Sequence, residues 1–280
     1  MAEKTAVIFC VGRELLEGHV LDRNAHYMAT HLTQAGVRVR TIQVLDDAED
    51  DIVSAVRHVL TQKPSYILMT GGMGPGAHDV TRASAAKAAE IPLVADATAK
   101  TFVANSYRRW HAKGIVESPD VSDDRLKLTQ IPKGATVWEN LSGTAPALCF
   151  EKSGTKIFLL PGQPEELRQL FNEHVKKLVE AEATTHFRDS VHIDFPGGDE
   201  SLMPRVLGDL GRRHPKVQSR SRLLTSDRGN GIRITLSVDG TDKAALIDAM
   251  NAAAADLRAR LGLEIPGQAR GSSRGHAQLD

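Results

Sequence analysis

Ile67-Leu68-Met69-Thr70-Gly71-Gly72-Met73-Gly74-Pro75-Gly76-Ala77-His78-Asp79-Val80-Thr81 is the stretch on which the architecture turns. Tyr66 to Met69 is a short apolar run that predicts a buried strand. It breaks into glycines at 71, 72, 74 and 76, and a helical pattern begins near Asp79 and continues as an alanine-rich helix over 82–89. A strand that runs into a glycine-rich turn and then a helix makes an anion site, because glycine lets the backbone approach a phosphate and the helix start offers free N–H groups. Asp79 has two readings. It is either a carboxylate that holds a metal on that phosphate or a helix N-cap. The glycines exceed what a cap needs, which favours the functional reading.

Outward from this stretch, strands and helices alternate. Thr5 to Val11 reads as a first strand, followed at Gly12 by polar residues and then a helix through Ala25, Met28, Ala29 and Leu32 that ends at Gly36. Val37 to Val44 predicts a second strand. Asp46-Asp47-Ala48-Glu49 opens a helix through Ile52, Val56 and Leu60, with acids where the helix dipole favours them, and Pro64 ends it. Such alternation predicts a mostly parallel sheet with helices on both faces. Ligands of such sheets sit at the carboxyl ends of the strands. Glu14 and Asp22, just past the first strand, therefore fall on the same edge as Asp79.

Further on, a helix starts at Asp96 and runs through Val103, Tyr107 and Trp110, and 112–124 reads as irregular. Asn140-Leu141-Ser142-Gly143-Thr144-Ala145-Pro146 is a second small-residue loop. Strands at 147–151 and 156–160 follow, and the latter runs into Leu160-Pro161-Gly162-Gln163-Pro164 and a helix from Glu165. Acids at Glu165 and Glu166 suit a helix first turn on dipole grounds alone. Beyond 182 the order is strand, helix, strand, strand, helix, which predicts a separate small α+β domain. The boundaries are 1–182, 183–264, and a tail over 265–280 that lacks apolar periodicity and reads as disordered.

With 280 residues, the chain has room for two domains. Its 35 basic and 35 acidic side chains cancel, so no global field draws it to nucleic acid or to a membrane. Cys10 and Cys149 lie in apolar runs and read as core residues. No apolar run approaches the roughly 20 residues of a membrane span, and the N-terminus lacks a signal-peptide core, so a cytoplasmic protein is expected.

Four spaced segments together resemble one family. Gly12-Arg13-Glu14-Leu15-Leu16-Glu17-Gly18 with Asp22 and Asn24, the glycine loop 71–81, Gly143-Thr144-Ala145-Pro146, and Leu160-Pro161-Gly162-Gln163-Pro164-Glu165 resemble the motifs of the molybdopterin-binding domain. The version is the one at the N-terminus of competence/damage-inducible CinA proteins, and the glycine loop is also similar to that of MoaB and MogA. The resemblance covers about 4–180, and 185–262 resembles the KH-like domain that follows in CinA-type proteins.

The resemblance implies a three-layer α/β domain that binds a pterin or nucleotide phosphate with a divalent metal (Mg, Mn or Co), as a homodimer. It implies hydrolysis of ADP-ribose-type diphosphates. The alternatives are a non-catalytic molybdopterin- or nucleotide-binding protein of molybdenum cofactor metabolism, or a molybdopterin adenylyltransferase. Asp79 and Glu14 take the catalytic roles, and Asp79 and Asp22 the metal. Gly71, Gly72, Gly74, Asn24, Ser142, Gly143, Thr144 and Gly162 bind phosphate or substrate. The chain departs from the CinA pattern at Gly76, where Thr is usual, at His78, where an acid is usual, and at Arg13, where a small or acidic residue is usual. Arg13 and His78 can then replace metal charge by contacting phosphate directly. In the second domain, Arg212, Arg213, Lys216, Arg220 and Arg222 form a basic cluster. A KH site, however, needs a Gly-x-x-Gly loop between helices, and Gly208-Asp209-Leu210-Gly211 falls at the end of a predicted helix, so nucleic acid is not the expected partner.

Overall fold

The structure is a computed structural model that describes residues 3–182, 187–196, 199–226 and 229–263. The expected tail over 265–280 lies outside the described residues. The chain divides into two compact units, 1–185 and 186–280.

The first unit begins β1 (Thr5–Val11), α1 (Arg13–Leu16), α2 (Asn24–Gln34), β2 (Arg38–Leu45), α3 (Glu49–Thr61), β3 (Tyr66–Thr70) and α4 (Thr81–Ala88). It continues β4 (Leu93–Ala95), α5 (Ala97–Ala112), α6 (Asp123–Leu126), β5 (Gln130–Pro132), β6 (Thr136–Trp138), β7 (Ala147–Lys152), β8 (Thr155–Leu160), α7 (Pro164–Leu170) and α8 (Lys176–Glu182). Six strands form one sheet in the order β2-β1-β3-β8-β7-β6. The pairs β1–β2, β1–β3 and β3–β8 are parallel, and β7 pairs antiparallel with both neighbours.

The alternation of side chains along β1 explains the three layers, since successive residues of a strand face opposite ways. Val7, Phe9 and Val11 pack with Ile52, Val56, Ala85, Val103 and Tyr107 from α3, α4 and α5. Ala6, Ile8 and Cys10 pack with Met28, Leu32, Leu167, Phe171 and Val179 from the opposite helices. Both faces of β1 and β3 are covered, which is why they read as unbroken apolar runs. The edge strand β2 is mostly exposed and alternates with polar residues.

Two features depart from the sequence reading. The stretches 93–95 and 130–132, for which no strands are expected, form a small antiparallel ribbon of β4 and β5. And α4 starts at Thr81 with Val80 in the cap position, so Asp79 does not cap the helix. Asp96 does cap α5, accepting from the Ala99 N–H at 2.8 Å.

The second unit is α+β: β9 (Phe187–Pro196), α9 (Met203–Arg213), β10 (Val217–Ser226), β11 (Gly229–Gly240) and α10 (Lys243–Leu261). The order β10-β11-β9 is antiparallel throughout, and Ile193, Ile232, Ile234 and Leu236 pack on Leu210, Met250 and Leu257 of its helices. Gly208 and Gly211 lie inside α9, so they form no Gly-x-x-Gly loop. Arg212 pairs with Asp209, and Arg213 and His214 both pair with Asp256, so these charges are engaged within the unit.

Candidate ligand site

Parallel strands end at one edge, and here that edge becomes a cavity of about 530 Å³, within the range of small-molecule sites. Its wall is made by the segments that follow β1, β2, β3 and β8, with Trp110 of α5, Thr144, Ala145 and Glu166. Among the expected site residues, Glu14, Asp22, Asn24, Gly71, Gly72, Gly74, Asp79, Thr144 and Gly162 line it. Ser142 and Gly143 do not. The Ser142 hydroxyl donates to Gln169 Oε1 at 2.6 Å, and the N–H groups of Ser142 and Gly143 both donate to Asn140 Oδ1. They shape the loop, with their donors turned to the protein.

The glycine loop is fixed at both ends. Gly71 has φ +92° and Gly72 φ +61°, conformations that glycine adopts without steric cost. The Gly71 N–H donates to Leu160 O at 3.2 Å. Thr81 closes the other end, its hydroxyl on Gly71 O at 2.7 Å and its N–H on Gly72 O at 3.1 Å. A Cβ at Gly71 would stand 2.1 Å from Val11 O, so the ends of β1 and β3 approach as closely as a hydrogen side chain allows. Beneath the loop, the buried Arg82 guanidinium donates to Met73 O and Lys127 O, each at 2.9 Å. Burial pulls the Arg82 pKa down to about 10, with Asp79 acting against it. Its Nε is the one buried side-chain polar atom without a partner among the described residues. Lys127 Nζ donates to Gly76 O.

Asp79 Oδ2 accepts from the Gly76 N–H at 2.8 Å, so this carboxylate holds the tip of the loop in shape. Among the described hydrogen bonds, the N–H groups of Gly72, Met73 and Gly74 donate to nothing, and all three residues line the cavity. Consecutive amides around residues with positive φ form a concave donor nest that suits an anion.

The other carboxylates differ in what holds them. Asp22 Oδ1 accepts from the N–H groups of Asn24 and Ala25 at 2.9 Å each, a local turn that starts α2. The Cys10 thiol lies beside Asp22 on the cavity wall, and burial followed by that carboxylate pushes its pKa far up. Asn24 directs its amide to Gly162 O at 2.7 Å and Thr70 Oγ1 at 3.3 Å, tying α2 to the loop after β8. Sequence reasoning passed over Asp47, which also lines the cavity, because Asp46-Asp47 suits a helix first turn. Its place at the carboxyl end of the second parallel strand was the signal that could have found it. Arg13 meets Asp46 through two contacts of 3.1 Å and stands 3.7 Å from Asp47, and His78 Nδ1 is 3.6 Å from Asp47 Oδ2. The two side chains that depart from the CinA pattern, Arg13 and His78, thus converge on one pair of acids. The hydrogen bond from Arg13 holds the Asp46 carboxyl below the usual carboxylate range.

These carboxylates do not by themselves form a metal cage. Among the described residues no group of three or more His, Cys, Asp or Glu side chains is placed to hold an ion. One oxygen each of Asp22 and Asp79 is already committed to backbone amides, whereas hard divalent cations take about six oxygen ligands or more.

Glu166 also lines the cavity and was read from sequence only as a helix first-turn acid. Its Oε2 accepts from Asn140 Nδ2 at 2.6 Å, and burial raises its pKa against the lowering effect of that bond.

A protein-family model described as "Probable molybdopterin binding domain" matches residues 7–181. A protein of Pyrococcus abyssi is 32% identical over 239 residues, which cover 85% of this chain and 91% of that protein. A CinA-like protein of Thermotoga neapolitana is 33% identical over 235 residues; these are 84% of this chain and 54% of that longer protein. Among solved structures, a crystal structure of the protein CinA from Thermoplasma acidophilum matches with a TM-score of 0.56 and 31% identity, over 62% of this chain and 99% of that one.

Proposed function

Since the chain belongs to the molybdopterin-binding domain family, we propose that its cavity binds a phosphorylated pterin or nucleotide, as a binding module of molybdenum cofactor metabolism. The observation that carries this reading is the row of uncommitted N–H groups at Gly72, Met73 and Gly74. Backbone donors of this kind hold a phosphate without a side-chain cation, and their orientation is fixed in advance by Thr81, Arg82 and Asp79. The acids on the wall are then left to recognise N–H groups of the ligand.

A second reading keeps hydrolysis of an ADP-ribose-type diphosphate. It is favoured by the presence of Glu14 and Asp79 on the same wall and by similarity to CinA-like proteins. One experiment addresses both. The protein is titrated calorimetrically with a pterin monophosphate, AMP and ADP-ribose, alone and with Mg²⁺, Mn²⁺ or Co²⁺, and each mixture is then analysed for released AMP. Binding without metal and without AMP release is the expected result. AMP release that Asp79→Ala abolishes would replace the binding reading by the hydrolytic one. Absence of binding to every phosphate compound would overturn both.

A further inference from the structure

Between Gly12 and the start of α2, residues 13–23 are exposed except for Leu15 and Asp22, which are half-buried. Three of the exposed side chains are large and apolar. Leu16 and Val20 are each 53% exposed, and Leu21 is 77% exposed. A single exposed leucine needs no explanation, but such side chains grouped on one short segment form a surface that water disfavours. Position indicates what can cover them. Val20 and Leu21 line the cavity, whereas residues 16–19 stand outside its wall.

The bonds of this segment divide it into anchors and a tip. Arg13 meets Asp46, Leu15 packs against the layer of Met28 and Leu167, and Asp22 accepts from the Asn24 and Ala25 N–H groups. These contacts fix 13–15 and 22. Between them the segment bonds only to itself. The Gly18 N–H donates to Leu15 O at 3.3 Å, the His19 and Val20 N–H groups share Glu14 O at 3.0 and 3.3 Å, and His19 faces Glu17. Among the described hydrogen bonds and ion pairs, none ties 16–21 to a residue outside the segment. A Cβ at Gly18 would meet nothing within 4 Å, so open space surrounds the turn. Segments that move on ligand binding are drawn from such sparsely bonded regions.

We propose that 16–21 is a flap that closes on the filled cavity, turning about the fixed positions 15 and 22 so that Val20 and Leu21 exchange water for the bound molecule. The proposal rests on the phosphate-binding reading above and concerns how the filled cavity is shut. Closure of this kind buries apolar surface only in the bound state, so it slows dissociation and leaves association nearly unchanged. The rival account is a static one, in which Val20 and Leu21 touch the ligand from their present positions. Residues 16–19 separate the two accounts, because they lie outside the cavity wall and respond only if the whole tip moves.

Amide hydrogen exchange of the full chain is read by NMR at single residues, free and saturated with AMP or with a pterin monophosphate, saturation being set by calorimetry. Exchange at 16–19 is expected to slow about tenfold or more on binding. In the double variant Val20→Ser, Leu21→Ser, both compounds should dissociate about tenfold faster with association unchanged. The protection at 16–19 should then disappear while that at 72–74 remains. Protection at 72–74 with none at 16–19 in the parent overturns the flap and leaves the phosphate reading standing, and so does unchanged dissociation in the double variant. Sedimentation of both proteins tests a different cover for the tip. A dimeric parent and a monomeric variant would assign Leu16, Val20 and Leu21 to contact with a second copy and overturn the flap. If neither compound binds, the phosphate reading falls and the flap falls with it.

Discussion

Gly71→Ala tests whether the glycine loop is held by the close approach of two strand ends. Two costs apply. An L-residue in the left-handed region at φ +92° costs about 1–2 kcal/mol. The new methyl would also stand 2.1 Å from Val11 O, on a strand whose residues 6–11 are all buried, so relief requires moving backbone. Overpacking of this kind costs about 1–3 kcal/mol. Gly18→Ala is the control, since Gly18 has φ +74° and its added methyl would meet nothing within 4 Å, so it isolates the first cost. Reduced freedom of the unfolded chain offsets roughly 0.4–1 kcal/mol in both variants. Gly71→Ala should therefore lose about 2–4 kcal/mol and Gly18→Ala about 1 kcal/mol or less. At about 2–4 °C per kcal/mol for a domain of this size, the Tm of Gly71→Ala should fall by roughly 5–15 °C. Both tryptophans lie in the first unit, so their fluorescence follows its unfolding without interference from the second. Equal Tm shifts in the two variants would refute the argument, because they would mean that the strand ends separate freely.

Three further outcomes follow from the site. Asp79→Ala should cost about 1 kcal/mol by freeing the Gly76 amide and should weaken phosphate binding about tenfold, whereas Asp79→Asn keeps an acceptor and should bind nearly as the parent does; equal losses in calorimetry would show that charge, and not loop shape, is what Asp79 supplies. Arg82→Met leaves Met73 O and Lys127 O unpaired, at about 1–3 kcal/mol each, but relieves a charge burial of about 3 kcal/mol, so urea unfolding should report a net loss of no more than about 3 kcal/mol. The loosened loop should nonetheless bind phosphate about tenfold more weakly, and undiminished binding would contradict its role. Glu166 has a folded-state pKa above the ordinary value, so its contribution to stability is greatest at acidic pH and is lost as pH rises through that raised value. Glu166→Gln should gain stability relative to the parent between pH 4 and pH 7 in urea titrations, and parallel profiles would refute this.

The three-layer fold was legible because both faces of β1 and β3 are buried, which leaves a signature of continuous apolar residues that β7 and β8 repeat. The loop after β3 was legible because positive φ and close approach both call for glycine, at 71 against Val11 O and at 72 against Thr81 Oγ1. Less could be read where a residue type suits two tasks. Asp47 and Glu166 fit helix first turns and were assigned there, while their exposure to a shared cavity depends on contacts across more than a hundred residues of chain. Asp79 looked like a helix cap or a metal ligand, yet its hydrogen bond goes back to Gly76, a detail of loop conformation that spacing does not encode. Ser142 and Gly143 carried the right composition for phosphate contact, but Asn140 draws their amides inward. Arg13 and His78 were read as substitutes for metal charge, and they meet Asp46 and Asp47 instead.

Asn140 has a consequence for how such a protein can diverge. The nest at 72–74 is secured by Thr81, Arg82 and Asp79, and the far wall by Asn140 together with the Ser142–Gln169 bond, with no residue shared between the two sets of bonds. Substitutions at 141, 142, 144 and 145 can therefore re-cut one end of the cavity while the loop at 72–74 keeps its shape. A lineage built on this plan is free to vary one end of its cavity independently of the other.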